Sequence, residues 1–442
     1  MVTKLTDRVV EPVADVHRTA DGENGEPQVS KIPLLVGLLL VISTVSWRPY
    51  TDYVFYSGGT DPIVVGKAML SALGLALAWT ARQRSPAPRP MGTGAVWLLL
   101  AYVVVSTFGA WTTGDLMASA VLGFRVLMHA ATVMLLVKSF APAHLVRAWL
   151  VAMMTIGLFG AATGLPSLLQ GRRLGGGLPP LNPNEVALLC AVPAIGVAWL
   201  MLTDRGRGVH GAVMVGLLAV IWASGSRTAL FALLVALFVM VLQSRRLRPG
   251  IACTLVFVFF GFVYAATATS VLTGYFARGG EENVTTLSSR TIAWSAAFSF
   301  PDTPWVRWMG AGLARKQIPV EGQYWDQQLL DSSWISALVQ AGLLGALILL
   351  VWILFTGWAT FRVPAPSRML YVGLMVFLLV RSVLESGLLD STPAFITFFL
   401  VSLLVDRRSG REDATAIRDR DRERRSTRRW ESNPVPSSAS GS

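Results

Sequence analysis

Long apolar runs separated by short polar or basic breaks fill the chain from residue 33 to residue 405. A helix needs roughly 20 predominantly apolar residues to cross a bilayer. By that measure the pattern predicts twelve spans, at 33–47, 62–81, 92–110, 117–137, 146–169, 186–203, 209–223, 228–243, 251–272, 334–358, 368–384 and 390–405. The pair flanking "SGSR", residues 224–227, can also be counted as one interrupted hairpin. The predicted fold class is therefore an all-α polytopic membrane protein of about twelve transmembrane helices.

Outside the runs the chain changes character. Residues 1–31 are polar, contain Pro and Gly, and have neither periodicity nor a cleavable signal pattern, which predicts a disordered tail. Residues 32–405 form the membrane domain. Residues 406–442 carry ten arginines between Arg407 and Arg429 and predict a second disordered, basic tail. Such a tail either attracts anionic membrane lipids or simply fixes topology. Two connections stand out. Residues 170–185, "QGRRLGGGLPPLNPNE", hold too much Gly and Pro for a regular helix and predict exposed backbone N–H groups. Residues 273–333 form the one long loop, a size that is uncommon without a role. Within it, 288–300 reads as a short helix with a Ser N-cap and Pro301 as its stop. Trp294 and Phe298, spaced i, i+4, would share its face against lipid or neighbouring helices.

Charge orients the bundle. One set of connections carries Arg82, Arg84 and Arg89, then Lys138 and Arg147, Arg205 and Arg207, Arg245, Arg246 and Arg248, and Arg362 and Arg368, and both termini group with it. The positive-inside rule then predicts both ends in the cytoplasm and residues 273–333 outside, as expected of a plasma or inner membrane protein. The composition agrees, with 53% hydrophobic and 14% charged residues. The formal net charge of +12 comes mostly from cytoplasmic arginines, and no nucleic-acid partner is implied. Cys190 and Cys253 lie in apolar segments, and the four histidines lack metal-ligand spacing. No cofactor or metal site is suggested.

The opposite face carries the candidate chemistry. Arg227 sits in the "SGSR" turn, where one arginine alone is an interfacial anchor. It shares its face with Arg172 and Arg173 beside the Gly-rich loop, Arg290 at the start of the short helix, and Asp331 before the tenth span. A guanidinium presents a planar fork of donors suited to phosphate oxygens and stays charged. Several of them beside loop amides predict a site for an anionic group. Asn182 and Asn184 suit Asx turns as well as ligand contacts. Arg125 and Arg381, inside spans, need a carboxylate or a wet cavity, and Glu385 stands at helical spacing from Arg381. Gly342 and Gly345 predict close helix packing.

The pieces "RRLGGGLPPLNPNEVA", "SGSRTALFALL", "SSRTIAW" and "DSSWISALVQAGLLGALILL" fall in the order and rough spacing of the O-antigen ligase and O-antigen polymerase superfamily, which the chain resembles over about 165–350. The resemblance implies a GT-C-like, metal-independent membrane glycosyltransferase. Its donor would be a polyprenyl-diphosphate-linked glycan used at the extracytoplasmic face, and its acceptor a glycan, lipid or cell-wall polymer. It also implies that Arg173, with Asn182 and Asn184, Arg227 and Arg290 hold the donor diphosphate, and Arg172 is the neighbouring alternative. Many members have His followed by Asn where this chain has Asp331-Ser332-Ser333. Asp331 is thus either a general base or a cap on the next helix. Two other functions stay open: a transporter or flippase of lipid-linked saccharide, and an inactive scaffold member. A transporter should place its charges near the midplane on broken helices and often repeats internally. Here the unusual charges gather at one face.

Topology is tested by single cysteines at Gly279 and Ser409. An impermeant reagent applied to intact cells is expected to label only position 279. Labelling at 409 and not at 279 reverses the orientation.

Overall fold

The computed structural model describes residues 31–48, 61–85, 89–203, 208–244, 290–301, 303–320 and 327–406. Contacts divide the chain into residues 1–31 and residues 32–442, and the second unit is described below. The predicted tails 1–30 and 407–442, the ninth predicted span and residues 273–289 lie outside the described residues.

Eleven of the twelve predicted spans fall on helices. They are α1 (Lys31–Thr44), α2 (Pro62–Arg84), α3 (Gly94–Thr113), α4 (Leu116–Ser139), α5 (Pro142–Thr163), α7 (Pro183–Leu202), α8 (Gly208–Ser224), α9 (Arg227–Gln243), α12 (Ser333–Phe361), α13 (Ala365–Leu384) and α14 (Pro393–Val405). Three short helices lie between them: α6 (Leu165–Leu169), α10 (Arg290–Ser299) and α11 (Pro304–Met309). Seven of the described helices are long and apolar enough to cross a membrane, and α1, α8, α9 and α14 are shorter apolar helices. The chain is a polytopic, all-α membrane protein.

The helix limits follow local chemistry. Proline at the first turn starts α2, α5, α7 and α14, where its missing N–H costs nothing. The predicted span 146–169 is two helices, because the chain turns at Gly164 between α5 and α6. At the centre lies α14, buried along its whole length. Trp352 of α12 packs on Phe398 and Phe399 with ring centroids 5.0 and 6.1 Å away. Its indole N–H donates to Ser402 Oγ at 3.2 Å, and Trp149 of α5 donates to Thr397 Oγ1 at 3.0 Å. Both tryptophans thus bury their rings and still satisfy their one donor. By contrast α2 buries only Ser71, Gly74, Ala78 and Ala81, and leaves Met69, Leu73 and Trp79 exposed. An apolar exposed face of this kind suits contact with lipid.

The tenth span is broken. Gly342 has φ +66° and ψ −162° inside α12, a backbone region essentially reserved for glycine. Two carbonyls freed by the break are taken up by the segment after α11: Ala311 N donates to Val339 O at 2.8 Å and Gly312 N to Gln340 O at 2.9 Å. Ser106 Oγ of α3 also donates to Gln340 O, at 2.9 Å. Glycine here permits close backbone contact as the sequence predicts, and it also interrupts the helix. A Cβ on Gly342 would sit 2.3 Å from Trp308 O, and one on Gly310 2.3 Å from Ala341 N.

The loop region holds a small core of its own. Strands β1 (Gln317–Pro319) and β2 (Gln327–Leu329) pair antiparallel with Ile318 opposite Gln328, a hairpin the sequence pattern did not predict. Ala293 and Ala297 of α10 pack with Ile318, Val320, Leu330, Ile335 and Val339. The helix predicted over 288–300 is present as α10, but its buried stripe is formed by the two alanines. Trp294 is partly buried against this core, and Phe298 is exposed.

Gly342→Ala is expected to lower the melting temperature of the purified protein by several degrees, because the strained backbone alone costs about 1–3 kcal/mol. Gly357→Ala in the same helix, where an added Cβ meets nothing within 4 Å, should leave it unchanged or slightly higher. Equal melting temperatures for the two variants would show that the break does not depend on glycine.

Candidate active site

The ends of α7, α10, α12 and α13 meet at one largely buried carboxylate, Glu385. Glu385 caps the C-terminus of α13 in extended backbone. It is held there from below by the "DSS" stretch: Ser333 Oγ donates to Glu385 O at 2.9 Å and accepts from Leu388 N at 3.2 Å. Glu385 Oε1 accepts from Arg290 at 3.1 Å and from Asn184 Nδ2 at 2.9 Å. Arg381, one turn earlier and buried, lies 3.9 Å from Oε2. The pair that helical spacing predicted is therefore the weaker contact, and two residues distant in sequence supply the hydrogen bonds.

Asn184 carries the network onward. Its Oδ1 accepts from Arg173 at 3.0 Å, while Arg173 Nε donates to Ser224 O at 2.9 Å. Leu174 N donates to Ala223 O at 3.1 Å beside it. The Gly-rich loop is thereby stitched to the "SGSR" turn, and Arg227, half-buried, follows as the first residue of α9. Arg172 and Arg173 are both exposed, but among the described residues no contact ties Arg172 to this network.

The other loop residues divide by role. Asn182 is the N-cap of α7, accepting from Asn184 N at 3.0 Å, and Glu185 closes a capping box by accepting from Asn182 N at 3.2 Å. Asn182 is thus engaged in the turn, and Asn184 is engaged in both turn and network. The expected exposure of loop amides is not seen in full. Gly176 N donates to Leu181 O and Gly177 N to Gly160 O, at 2.8 and 3.2 Å. These glycines serve close approach, since a Cβ on Gly177 would lie 2.3 Å from Thr163 O.

Asp331 lies 3.7 Å from Arg290 Nε, with its side chain 42% exposed. It is not the helix cap, because Ser332 holds that position. Burial, then the charge of Glu385, push its carboxyl up to about 6 against the pull of Arg290. The Nε atoms of Arg290 and Arg381 are buried without a hydrogen-bond partner. Buried orphan donors are rare enough to call for a physical reason, and a bound anion would supply one. Arg290 and Arg381 face Glu385 directly, Arg173 reaches it through Asn184, Asp331 faces Arg290, and Glu185 also acts on Arg381.

Arg125 donates to the Ser43 carbonyl at the C-terminal end of α1, and among the described residues it meets no carboxylate at ion-pair distance. Two features escaped the sequence. Glu385 was legible only as a partner of Arg381, although an acid directly after an apolar span and facing several arginines is a charge-balance signal. Lys316 and Asp390 form an ion pair between the hairpin and the α13–α14 connection. Among the described residues no group of three or more His, Cys, Asp or Glu is placed to hold a metal ion.

Residues 212–350 match the family model described as O-antigen ligase. No curated protein matches the chain. The matched stretch brings Arg227, Arg290 and Asp331, whereas Arg173, Asn184 and Glu385 reach the same site from outside it. Over that stretch the chain is similar to the O-antigen ligase family, and by its apolar helices it is a membrane protein.

Proposed function

We propose that the chain is a metal-independent membrane glycosyltransferase that moves a polyprenyl-diphosphate-linked glycan onto a glycan, lipid or cell-wall acceptor. The transfer takes place at the extracytoplasmic face, with both termini in the cytoplasm, and serves surface polysaccharide polymerisation or ligation. The observation that carries this proposal is the Arg173–Asn184–Glu385–Arg290 network, which holds two arginines distant in sequence around one largely buried acid.

In the proposed reaction the acceptor hydroxyl attacks the anomeric carbon of the donor sugar. The bond from that carbon to the diphosphate oxygen breaks, and the polyprenyl diphosphate leaves with the electron pair. Arg173, Arg227 and Arg290 stabilise the negative charge that grows on it. Asp331 takes the acceptor proton. A base that titrates near 6 is mostly ionised at neutral pH and still basic enough to be useful.

The broken helix is the feature that favours a transporter, because discontinuous helices often hold transported ions or substrates. Here the Val339 and Gln340 carbonyls are bonded within the protein, and the cationic cluster sits at the helix ends. Transfer accounts for both facts.

The test incubates purified protein with a lipid-linked repeat. A product ladder identifies polymerisation, one transfer to a different acceptor identifies ligation, and an unconsumed donor overturns the proposal. In this assay Arg173→Ala, Arg227→Ala and Arg290→Ala should each lower kcat/KM on the order of 10²-fold or more. Lysine should rescue only partly, since it lacks the fork. Full activity of all three alanine variants, correctly inserted, would remove the donor-site assignment, and loss on Arg172→Ala instead would transfer it to that neighbour.

The base is tested through pH. The ionised form is the active one, so activity should fall as pH drops through about 6. Asp331→Asn should remove most activity, and Asp331→His should restore part of it with the acid limb governed by the imidazole. Glu385→Gln removes a like charge and should move the wild-type acid limb to lower pH. Full activity of Asp331→Asn, or an acid limb unmoved by Glu385→Gln, would argue against proton transfer at Asp331.

A further inference from the structure

A cavity of about 680 Å³ lies between α2 and α4 and shares no residue with the candidate active site. It exists because the facing side chains are small. Ala72 and Ala76 of α2 and Ala131 of α4 leave a gap that the longer Leu75, Trp79 and Met134 wall in. On each helix these residues recur three or four positions apart, so one stripe of α2 and one of α4 face the gap. Its volume falls within the roughly 300–1,000 Å³ of small-molecule sites. The space opens outward, since Ala72, Ala76 and Trp79 are exposed while α2 buries only Ser71, Gly74, Ala78 and Ala81.

One end of the cavity is cationic. Lys138, in the last turn of α4, is part of its lining. Arg89 N donates to Lys138 O at 3.1 Å, which fixes a second basic residue beside the first. Arg82 follows Trp79 by about one turn, at the end of α2. Among the described residues none of these three cations meets a carboxylate at ion-pair distance. Asp406, an acid near the start of α3, accepts from Gly94 N at 2.8 Å. Basic residues in a last turn complement the helix dipole, and that alone would account for solvated side chains. It does not account for the apolar cavity that Lys138 borders.

We propose that this cavity binds one anionic phospholipid of the surrounding bilayer. An acyl chain lies between α2 and α4, and the headgroup phosphate meets Lys138 and Arg89. Apolar walls that end in unpaired cations are complementary to an amphiphile with a negative head. A soluble anion would leave the walls unused, and a zwitterionic lipid would leave the cations uncompensated. The site is independent of the transfer reaction.

The test places the full chain in phosphatidylcholine nanodiscs with a trace of photoactivatable lipid, either phosphatidylglycerol or phosphatidylcholine with the reactive group on the acyl chain. Crosslinked peptides are then mapped by mass spectrometry. The phosphatidylglycerol probe is expected to label residues 72–80 and 131–138 well above the phosphatidylcholine probe, by on the order of fivefold for each cation at the headgroup. Arg89→Gln with Lys138→Gln should bring the two probes level. Should that double variant misfold, Lys138→Gln alone should lose part of the preference. Ala76→Phe fills the gap and keeps every charge, so it should also remove the preference. Arg362→Gln, a basic residue that stacks on Trp358 outside the cavity, should leave it intact. Equal labelling of the wild type by both probes overturns the proposal. So does a preference that survives in a folded Arg89→Gln, Lys138→Gln variant or in Ala76→Phe, or one that Arg362→Gln abolishes, since each assigns the effect to surface charge and not to a site. Loss of labelling on adding farnesyl diphosphate would overturn it as well, by giving the cavity to a prenyl chain.

Discussion

Glu385 is the carboxylate on which the polar interior depends. It receives hydrogen bonds from Arg290 and Asn184 through one oxygen and faces Arg381 with the other. Remove it, and Arg290 and Arg381 are left close together in a region of low dielectric, where repulsion is poorly screened. Keep it, and the loop before α7, the start of α10 and the end of α13 are held at fixed distances. An arginine held in this way still has donors to spare: the Nε of Arg290 is buried and unbonded. The acid therefore positions the guanidinium without exhausting it. Asn184 passes the constraint on as a neutral link, accepting from Arg173 while donating to Glu385.

The apolar runs made the helices legible, because in a bilayer a backbone of that length has to satisfy its own hydrogen bonds. Their starts were legible to within a few residues where proline opens them, as at Pro142 and Pro393, whereas the turn at Gly164 inside the predicted span 146–169 was not. Nor was the helix break. Gly342 could be read as a small residue for packing, and only the segment from Trp308 to Gly312, lying across it, shows why the backbone must turn there. That partner comes from the long loop, so no local pattern announces it. The β1–β2 hairpin escaped for a similar reason, since its strands are three residues each and pack by Ile318 alone.

The site was legible as a face and not as a set of contacts. Charge asymmetry placed Arg172, Arg173, Arg227, Arg290 and Asp331 together, and the matched stretch contains three of them. Sequence could not separate Arg172 from Arg173. They are neighbours in a loop, both exposed, and what distinguishes them is that the Arg173 side chain reaches Ser224 O and Asn184. Nor could spacing find the Asn184–Glu385 bond, which joins residues 201 positions apart. Tertiary packing chooses among candidates that composition and charge only collect.

The departure from the family pattern at Asp331 has a physical setting of its own. A carboxylate is a weaker base than imidazole by about 2.6 units in their reference pKa values, so a simple exchange of His for Asp would cost basicity. At this position burial and the charge of Glu385 push the Asp331 carboxyl up to about 6, within about a unit of an ordinary histidine. Arg290 opposes that rise, and Glu385 occupies Arg290 at 3.1 Å while Asp331 stays at 3.7 Å. The same acid thus raises Asp331 directly and holds its cationic neighbour in a second ion pair. The basicity of residue 331 and the placement of Arg290 are therefore set by one residue, and a change at either is felt at the other.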